Sequence, residues 1–151
     1  MNALKQIEQL QPQEIEKRSF EIIGEELAAR GITLPKDQEM ITKRVIHTSA
    51  DFEYTKTLMY SKDAVRIAED LICEGADIVT DTNMALAGIN KKALATFGGE
   101  AHCFMADPEV ARLAKERGTT RATVSMEMAA RIDKPVIFAV GNAPTALIQI
   151  D

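Results

Sequence analysis

Apolar residues recur along the chain first at helical spacing, then in short runs separated by polar turns. Between residues 12 and 30, Phe20, Ile23 and Leu27 fall three and four apart, Pro12 suits a first helical turn and Gly31 ends the run, which predicts a helix. Ile15, Ser19 and Ile22 form an adjoining line on that helix, so Ser19 stands among apolar neighbours. After Pro35 a helical turn is expected over residues 37–42, followed by a short apolar strand over residues 44–48. Ser61 suits the N-cap of a helix with Ala64, Val65, Ala68, Leu71 and Ile72 on one face and Gly75 at its end. A strand over 76–80, an alanine-rich helix over 82–89 and a strand over 101–105 follow. Asp107-Pro108-Glu109 combines a cap, a first-turn proline and a first-turn acid, and starts a helix that stops at Gly118. Another helix starts at Thr119 or Thr120 with Ala122, Met126 and Ala129 on one face. Residues 135–140 form a near-continuous apolar strand of the kind buried on both faces of a parallel sheet, and a last helix begins after Gly141-Asn142-Ala143-Pro144-Thr145.

This alternation predicts an α/β fold: a three-layer, doubly wound, flavodoxin-like parallel sheet in a single domain over residues 1–151. The last helix has room for less than two turns, so the domain is expected to be incomplete at this end. Hydrophobic residues make up 46% and charged ones 27%, which is globular composition throughout. The net charge of −5 is spread over mixed-sign positions without a basic block, which argues against nucleic acid as a partner. The opening residues through Ser19 carry no apolar core of a leader, and no apolar run is long enough to span a bilayer, so no membrane partner is expected and cytoplasmic residence is. Cys73 and Cys103 fit neither a disulfide framework nor a zinc spacing, and both are expected to be reduced, buried thiols. His102 and Cys103, adjacent on a strand, face opposite sides and share no metal; no metal site is expected.

Ligands of open parallel sheets bind beyond the carboxyl ends of the strands, where loops and helix N-termini face one crevice. The four expected strands lead into His47-Thr48-Ser49-Ala50-Asp51, Asp81-Thr82-Asn83, Ala106-Asp107-Pro108 and Gly141-Asn142-Ala143-Pro144-Thr145. Taken singly, Asp107 and Thr82 are ordinary caps. At the mouth of the crevice His47 supports two readings, a satisfied core histidine or a group that titrates near neutral pH for chemistry. Arg121, in the first turn of a helix after Thr119 and Thr120, is disfavoured there unless an anion is bound; an anion seat and a surface arginine paired with a carboxylate stand open. There is no phosphate-binding glycine loop: Gly98-Gly99 precedes a strand instead of following one.

Five segments in the same order resemble the precorrin-8X methylmutases, also known as precorrin isomerases or cobalt-precorrin-8 methylmutases. They are Arg44-Val45-Ile46-His47-Thr48-Ser49-Ala50-Asp51-Phe52, Asp81-Thr82-Asn83-Met84-Ala85-Leu86-Ala87-Gly88-Ile89, Ala106-Asp107-Pro108-Glu109-Val110-Ala111, Thr119-Thr120-Arg121-Ala122 and Gly141-Asn142-Ala143-Pro144-Thr145-Ala146-Leu147. The resemblance implies an isomerase of cobalamin biosynthesis that moves a methyl group from C-11 to C-12 of a corrinoid ring by a 1,5-sigmatropic shift, without a cofactor. Precorrin-8X would give hydrogenobyrinate, and cobalt-precorrin-8 its cobalt counterpart, cobyrinate.

In that family the histidine matching His47 is catalytic, protonating or hydrogen-bonding the ring C region of the substrate. Asp51 or a carbonyl is expected to set its tautomer. The substrate is a flat polycarboxylate, so an acidic chain must gather donors locally. Arg18 and Ser19, with Thr48, Ser49 and Asp51 beside the histidine, are expected substrate contacts. So are Thr82, the Thr119-Thr120-Arg121 helix start, Asn142 and Thr145. The resemblance also implies a homo-oligomer, and family members continue beyond the Asn-Ala-Pro-Thr-Ala-Leu segment through a further strand, a glycine-rich loop and a closing helix, so the expectation is a sheet short of its last strand and helix. A fragment that binds the tetrapyrrole, or only assembles, without turnover is the alternative.

Overall fold

In the computed structural model of the chain, residues 11–151 are described; residues 1–10 lie outside them. The chain separates into two compact units, one through Val65 and one from Arg66 to Asp151.

The first unit is helical. Helix α1 (Pro12–Ala29) is opened by the Glu14 carboxylate, which accepts the Gln11 N–H at 3.2 Å, and closed at Gly31, whose φ is 68°. Helix α2 (Glu39–Ser49) replaces the expected turn and strand with one continuous helix, so His47 lies in its last turn and not at a strand end. The apolar run Val45-Ile46 is too short to separate the two periods on its own. Helical spacing wins because Thr42 and Ile46, four apart, both bury, Glu39 and Lys43 pair at 2.5 Å one turn apart, and Ala50 ends the helix at φ 56°. A short helix α3 (Tyr54–Thr57), not anticipated from the pattern, follows. Ile23 and Leu27 of α1 and Ile46 of α2 form the core, with Ile32, Leu34, Phe52 and Tyr54 packed around it.

The second unit carries the sheet. Helix α4 (Ala64–Cys73) ends before Gly75, at φ 86°, and leads into β1 (Asp77–Thr80). Then come α5 (Asn83–Gly88), α6 (Lys91–Thr96), β2 (Ala101–His102), α7 (Pro108–Arg117), α8 (Arg121–Ala129), β3 (Val136–Ala139) and α9 (Pro144–Ile150). Both pairings are parallel and the strand order is β2-β1-β3. The chain therefore steps from β1 to one neighbour, then crosses back to the other side of β1. With right-handed crossovers, that reversal sets the two helical connections on opposite faces, as in doubly wound sheets of flavodoxin-like order.

Val79 of β1 packs under Ala122, Met126, Ala129 and Ala146 of α8 and α9, and Val110 and Ala114 of α7 pack on Val124. Gly99 is required where it stands: a Cβ there would lie 2.3 Å from the Ala76 carbonyl oxygen and 2.9 Å from Leu94. At the amino end of the sheet the buried Asp77 accepts the Glu100 N–H at 2.8 Å and meets His102 Nε2 at 3.0 Å, while the His102 ring stacks on Phe104. Burial pushes the Asp77 carboxyl up, but the hydrogen bonds from Glu100 and His102 and the nearby charges of Lys134 and His102 together hold it below the ordinary range.

Three details depart from expectation. β2 pairs over two residues instead of five, because the chain turns away at Cys103. β3 is partly buried rather than enclosed, since only one of its edges is paired in this sheet. Cys73 is exposed and Cys103 half-buried, and both are free thiols. No described helix is long and apolar enough to cross a membrane.

Candidate functional site

In the first unit, packing of α1 on α2 brings Ser19 to His47: the serine Oγ lies 2.7 Å from the imidazole Nδ1. The Phe20 ring meets the imidazole edge-on, with centroids 5.8 Å apart at 68°. Arg44, one turn before His47, sets its guanidinium 5.2 Å from the centre of the same Phe20 ring and pairs with Glu16. Ser19 and His47 line a cleft of about 290 Å³ with Ile22, Ile23, Glu26, Ile46, Ala50 and Phe52. A larger cleft in this unit, about 550 Å³, is lined by Phe20, Gly24, Met40 and charged neighbours and contains neither member of the pair.

A serine hydroxyl can donate to a bare Nδ1 or accept from a protonated one, so this contact survives gain or loss of a proton by the ring. In both states Nε2 is the nitrogen with no hydrogen-bond partner among the described residues. The pair can therefore hold the ring still while Nε2 gives, takes or shares a proton.

The other residues expected around His47 are turned to local work. Thr48 Oγ1 donates to the Arg44 and Val45 carbonyls at 3.1 and 3.0 Å, and Ser49 Oγ donates to Val45 at 2.7 Å. Asp51 Oδ1 accepts the Glu53 N–H at 2.8 Å, so Ser19, not Asp51, is the partner that orients the imidazole. Arg18 pairs with Glu21 at 3.4 Å and Glu25 at 3.8 Å. Arg44 escaped the sequence reading for a geometric reason. Three residues apart on a strand point to opposite faces, whereas three apart on a helix share one.

In the second unit the polar residues gather at the carboxyl ends of β1 and β3, the point where the strand order reverses. Asp81, 2% exposed, accepts three consecutive loop amides: Gly141 N–H at 3.2 Å, Asn142 at 2.7 Å and Ala143 at 2.9 Å. Burial raises its pKa, and the bonds from Asn142, Gly141 and Ala143 outweigh that, leaving the carboxyl below its ordinary range. Thr120 caps α8 by accepting the Thr123 N–H at 3.1 Å and donates its own proton to Thr145 Oγ1, also at 3.1 Å. Thr123 Oγ1, 3.0 Å from Thr120, must then donate to it. This direction leaves the Thr145 proton without an acceptor among the described residues.

Arg121 opens α8, is exposed and makes no ion pair among the described residues. Asn142 is exposed and Thr119 half-buried beside them. Thr82 is committed to capping α5, accepting the Ala85 N–H at 3.1 Å. The structure thus joins Ser19 with His47, and Thr120 with Thr145. Asp81, which the sequence marked as the first residue of a family segment but with no role of its own, holds the loop carrying Asn142. The described residues contain no group of three His, Cys, Asp or Glu side chains able to hold a metal ion.

Residues 14–151 match the family model described as precorrin-8X methylmutase. The chain is 44% identical to the cobalt-precorrin-8 methylmutase of Salmonella typhimurium over 93% of its length, and 41% identical to that of Priestia megaterium, also over 93%. It spans 69% of the first relative and 62% of the second. The crystal structure of precorrin-8x methyl mutase from Thermus thermophilus superposes with a TM-score of 0.79 at 34% identity, covering 91% of this chain and 66% of that one.

Proposed function

Since the chain belongs to the precorrin-8X methylmutase family, we propose that it takes part in cobalamin biosynthesis by moving a methyl group from C-11 to C-12 of the corrinoid ring, with His47 as the catalytic residue. The substrate is precorrin-8X or cobalt-precorrin-8. The observation that carries this reading is the Ser19–His47 contact of 2.7 Å, which engages Nδ1 and leaves Nε2 without a hydrogen-bond partner among the described residues.

The reaction is an isomerisation. One C–C bond breaks at C-11 as another forms at C-12, and no atom or electron is gained from outside. What the protein must supply is an electronic bias of the π-system and a fixed ring. Nε2 of His47, protonated, can donate a hydrogen bond or proton to the ring C region during the shift and recover it afterwards. Ser19 accepts from Nδ1–H in the charged ring and equally in the neutral ring left when Nε2 gives up its proton, so the imidazole keeps its orientation through the cycle. Arg44 shares the Phe20 ring with His47 and is paired with Glu16, so it meets a peripheral carboxylate of the substrate only by giving up that pair.

Within the second unit, Arg121, Asn142, Thr145 and Thr119 are donors of the kind that a polycarboxylate needs. Arg18, Thr48, Ser49, Asp51 and Thr82 are engaged in local contacts and are weaker candidates for that role. Homo-oligomerisation and cytoplasmic residence belong to the same reading; a strictly monomeric sedimentation profile counts against the first.

The direct test is to incubate the purified chain with precorrin-8X and, separately, with its cobalt form. The expected result is the corrin product's absorbance spectrum from wild type and its near-absence from His47→Ala. Equal conversion by the variant removes His47 from the mechanism. Tight product binding without conversion by wild type favours a corrinoid-binding role instead.

A further inference from the structure

We propose that Asp81 is a positioning residue for substrate binding: from the carboxyl end of the central strand it clamps the backbone of residues 141–143, so that the Asn142 side chain and the Thr145 hydroxyl are presented to the ligand as one rigid edge. The proposal rests on the methylmutase reading for its ligand, and on the geometry of this unit for its mechanism.

Asp81 is not needed to make the sheet. β1 ends at Thr80 and β3 at Ala139, and the ladder between them is complete without it. Its two carboxylate oxygens take three successive N–H groups from residues 60–62 positions further along the chain. Successive amides turned toward one point form a concavity of the kind that binds anions, and here the anion is built in. With those amides saturated by Asp81, a substrate carboxylate at this edge must be met by side chains. Asn142 is exposed, and the Thr123–Thr120–Thr145 chain of hydroxyls ends in a donor with no acceptor among the described residues. Clamp and hydroxyl chain hold opposite ends of the segment 141–145, which removes the ordering that ligand binding would otherwise require.

The test compares wild type and Asp81→Asn by amide hydrogen exchange and by absorbance titration with hydrogenobyrinate, then by turnover of precorrin-8X. In the variant, exchange at Gly141, Asn142 and Ala143 should quicken about tenfold or more, while the Asp77 and Ile78 amides, bonded within the sheet, stay as they were. Product affinity should fall about tenfold and KM rise in step, with kcat within about twofold of wild type, the split expected when binding alone is lost. Unchanged exchange overturns the clamp. A loosened loop with unchanged affinity and KM overturns its role in binding, as does a loss confined to kcat.

If Asp81→Asn fails to fold, the wild-type chain decides the matter by acid titration. The three loop amide resonances should move together, with one midpoint below about pH 4, and separate midpoints overturn the proposal. Failure of the wild-type chain to bind the corrinoid overturns the ligand assignment. It is told apart from failure of Asp81 by the exchange readout, which needs no ligand.

Discussion

His47 is held by one side chain from a neighbouring helix, whereas Asp81 is held by three backbone N–H groups of a single loop. The first arrangement tolerates a change of charge, because the proton that moves is on Nε2 while Nδ1 keeps its bond to the hydroxyl. The second does not: backbone amides only donate, so protonating the carboxylate weakens all three bonds at once. A side-chain pair suits a group that must move a proton. A carboxylate locked by backbone suits one that must hold a shape.

The largest effect expected from this contrast is on chemistry. His47→Ala should lower kcat by about 10²- to 10⁴-fold, the range for loss of a general acid, with helical circular dichroism unchanged. A fall in product affinity of the same size, with kcat preserved, would make His47 a binding group and erase the contrast. Stability should show the reverse ranking. Asp81→Ala strands three N–H groups at a buried position and should cost roughly 1–3 kcal/mol or more by urea denaturation, against about 1 kcal/mol or less for Ser19→Ala at its partly exposed site. Ser19→Ala should instead lower kcat, about tenfold for the loss of one orienting bond. If Ser19→Ala destabilises more than Asp81→Ala, the two centres have been ranked the wrong way round.

Acid should act on the same side of the comparison. Asp77 and Asp81 both titrate below their ordinary range in the folded chain. A depressed folded pKa means that the stabilisation is fully present above the unfolded value near 4 and is lost as pH falls through the folded one. Wild type should therefore lose urea resistance progressively below about pH 4, and Asp81→Asn should lose less over the same interval. Parallel pH curves for the two would show that Asp81 carries no pH-linked stabilisation.

How much of this was legible in the sequence follows the reach of the forces involved. The start of α7 was readable because Asp107 Oδ1 bonds the Glu109 N–H two residues away, at 2.8 Å, and the start of α8 because Thr120 bonds Thr123. Caps are written locally, so local residues reveal them. The helix that carries His47 was not readable in the same way, since Val45-Ile46 serves a strand or a helix equally, and burial of Thr42 and Ile46 against α1 decides between them. The family motifs still selected His47, because they depend on residue identity and order, not on period. Ser19 was noticed as a polar residue on an apolar helix face, and the hydrogen bond supplies its reason. Asp81 stayed hidden because its partners lie 60–62 positions away and an acid after a strand reads as a turn residue.

The smallest expected effect separates burial from pairing. Glu109 also has its carboxyl held below the ordinary range, in its case chiefly by the hydrogen bonds from Arg112, at 2.9 and 2.5 Å, and Arg112 reaches Glu116 at 2.6 Å as well. On bond lengths alone this trio rivals Asp81. Yet its side chains are about half exposed, so water already solvates each charge and salt screens the pair, while the long side chains lose freedom in holding one geometry. Arg112→Ala should leave the urea midpoint unchanged within error and leave corrinoid binding untouched. A clear loss of stability in that variant would mean that pairing, irrespective of burial, stabilises this chain, and the weight given to the enclosure of Asp81 would then be misplaced.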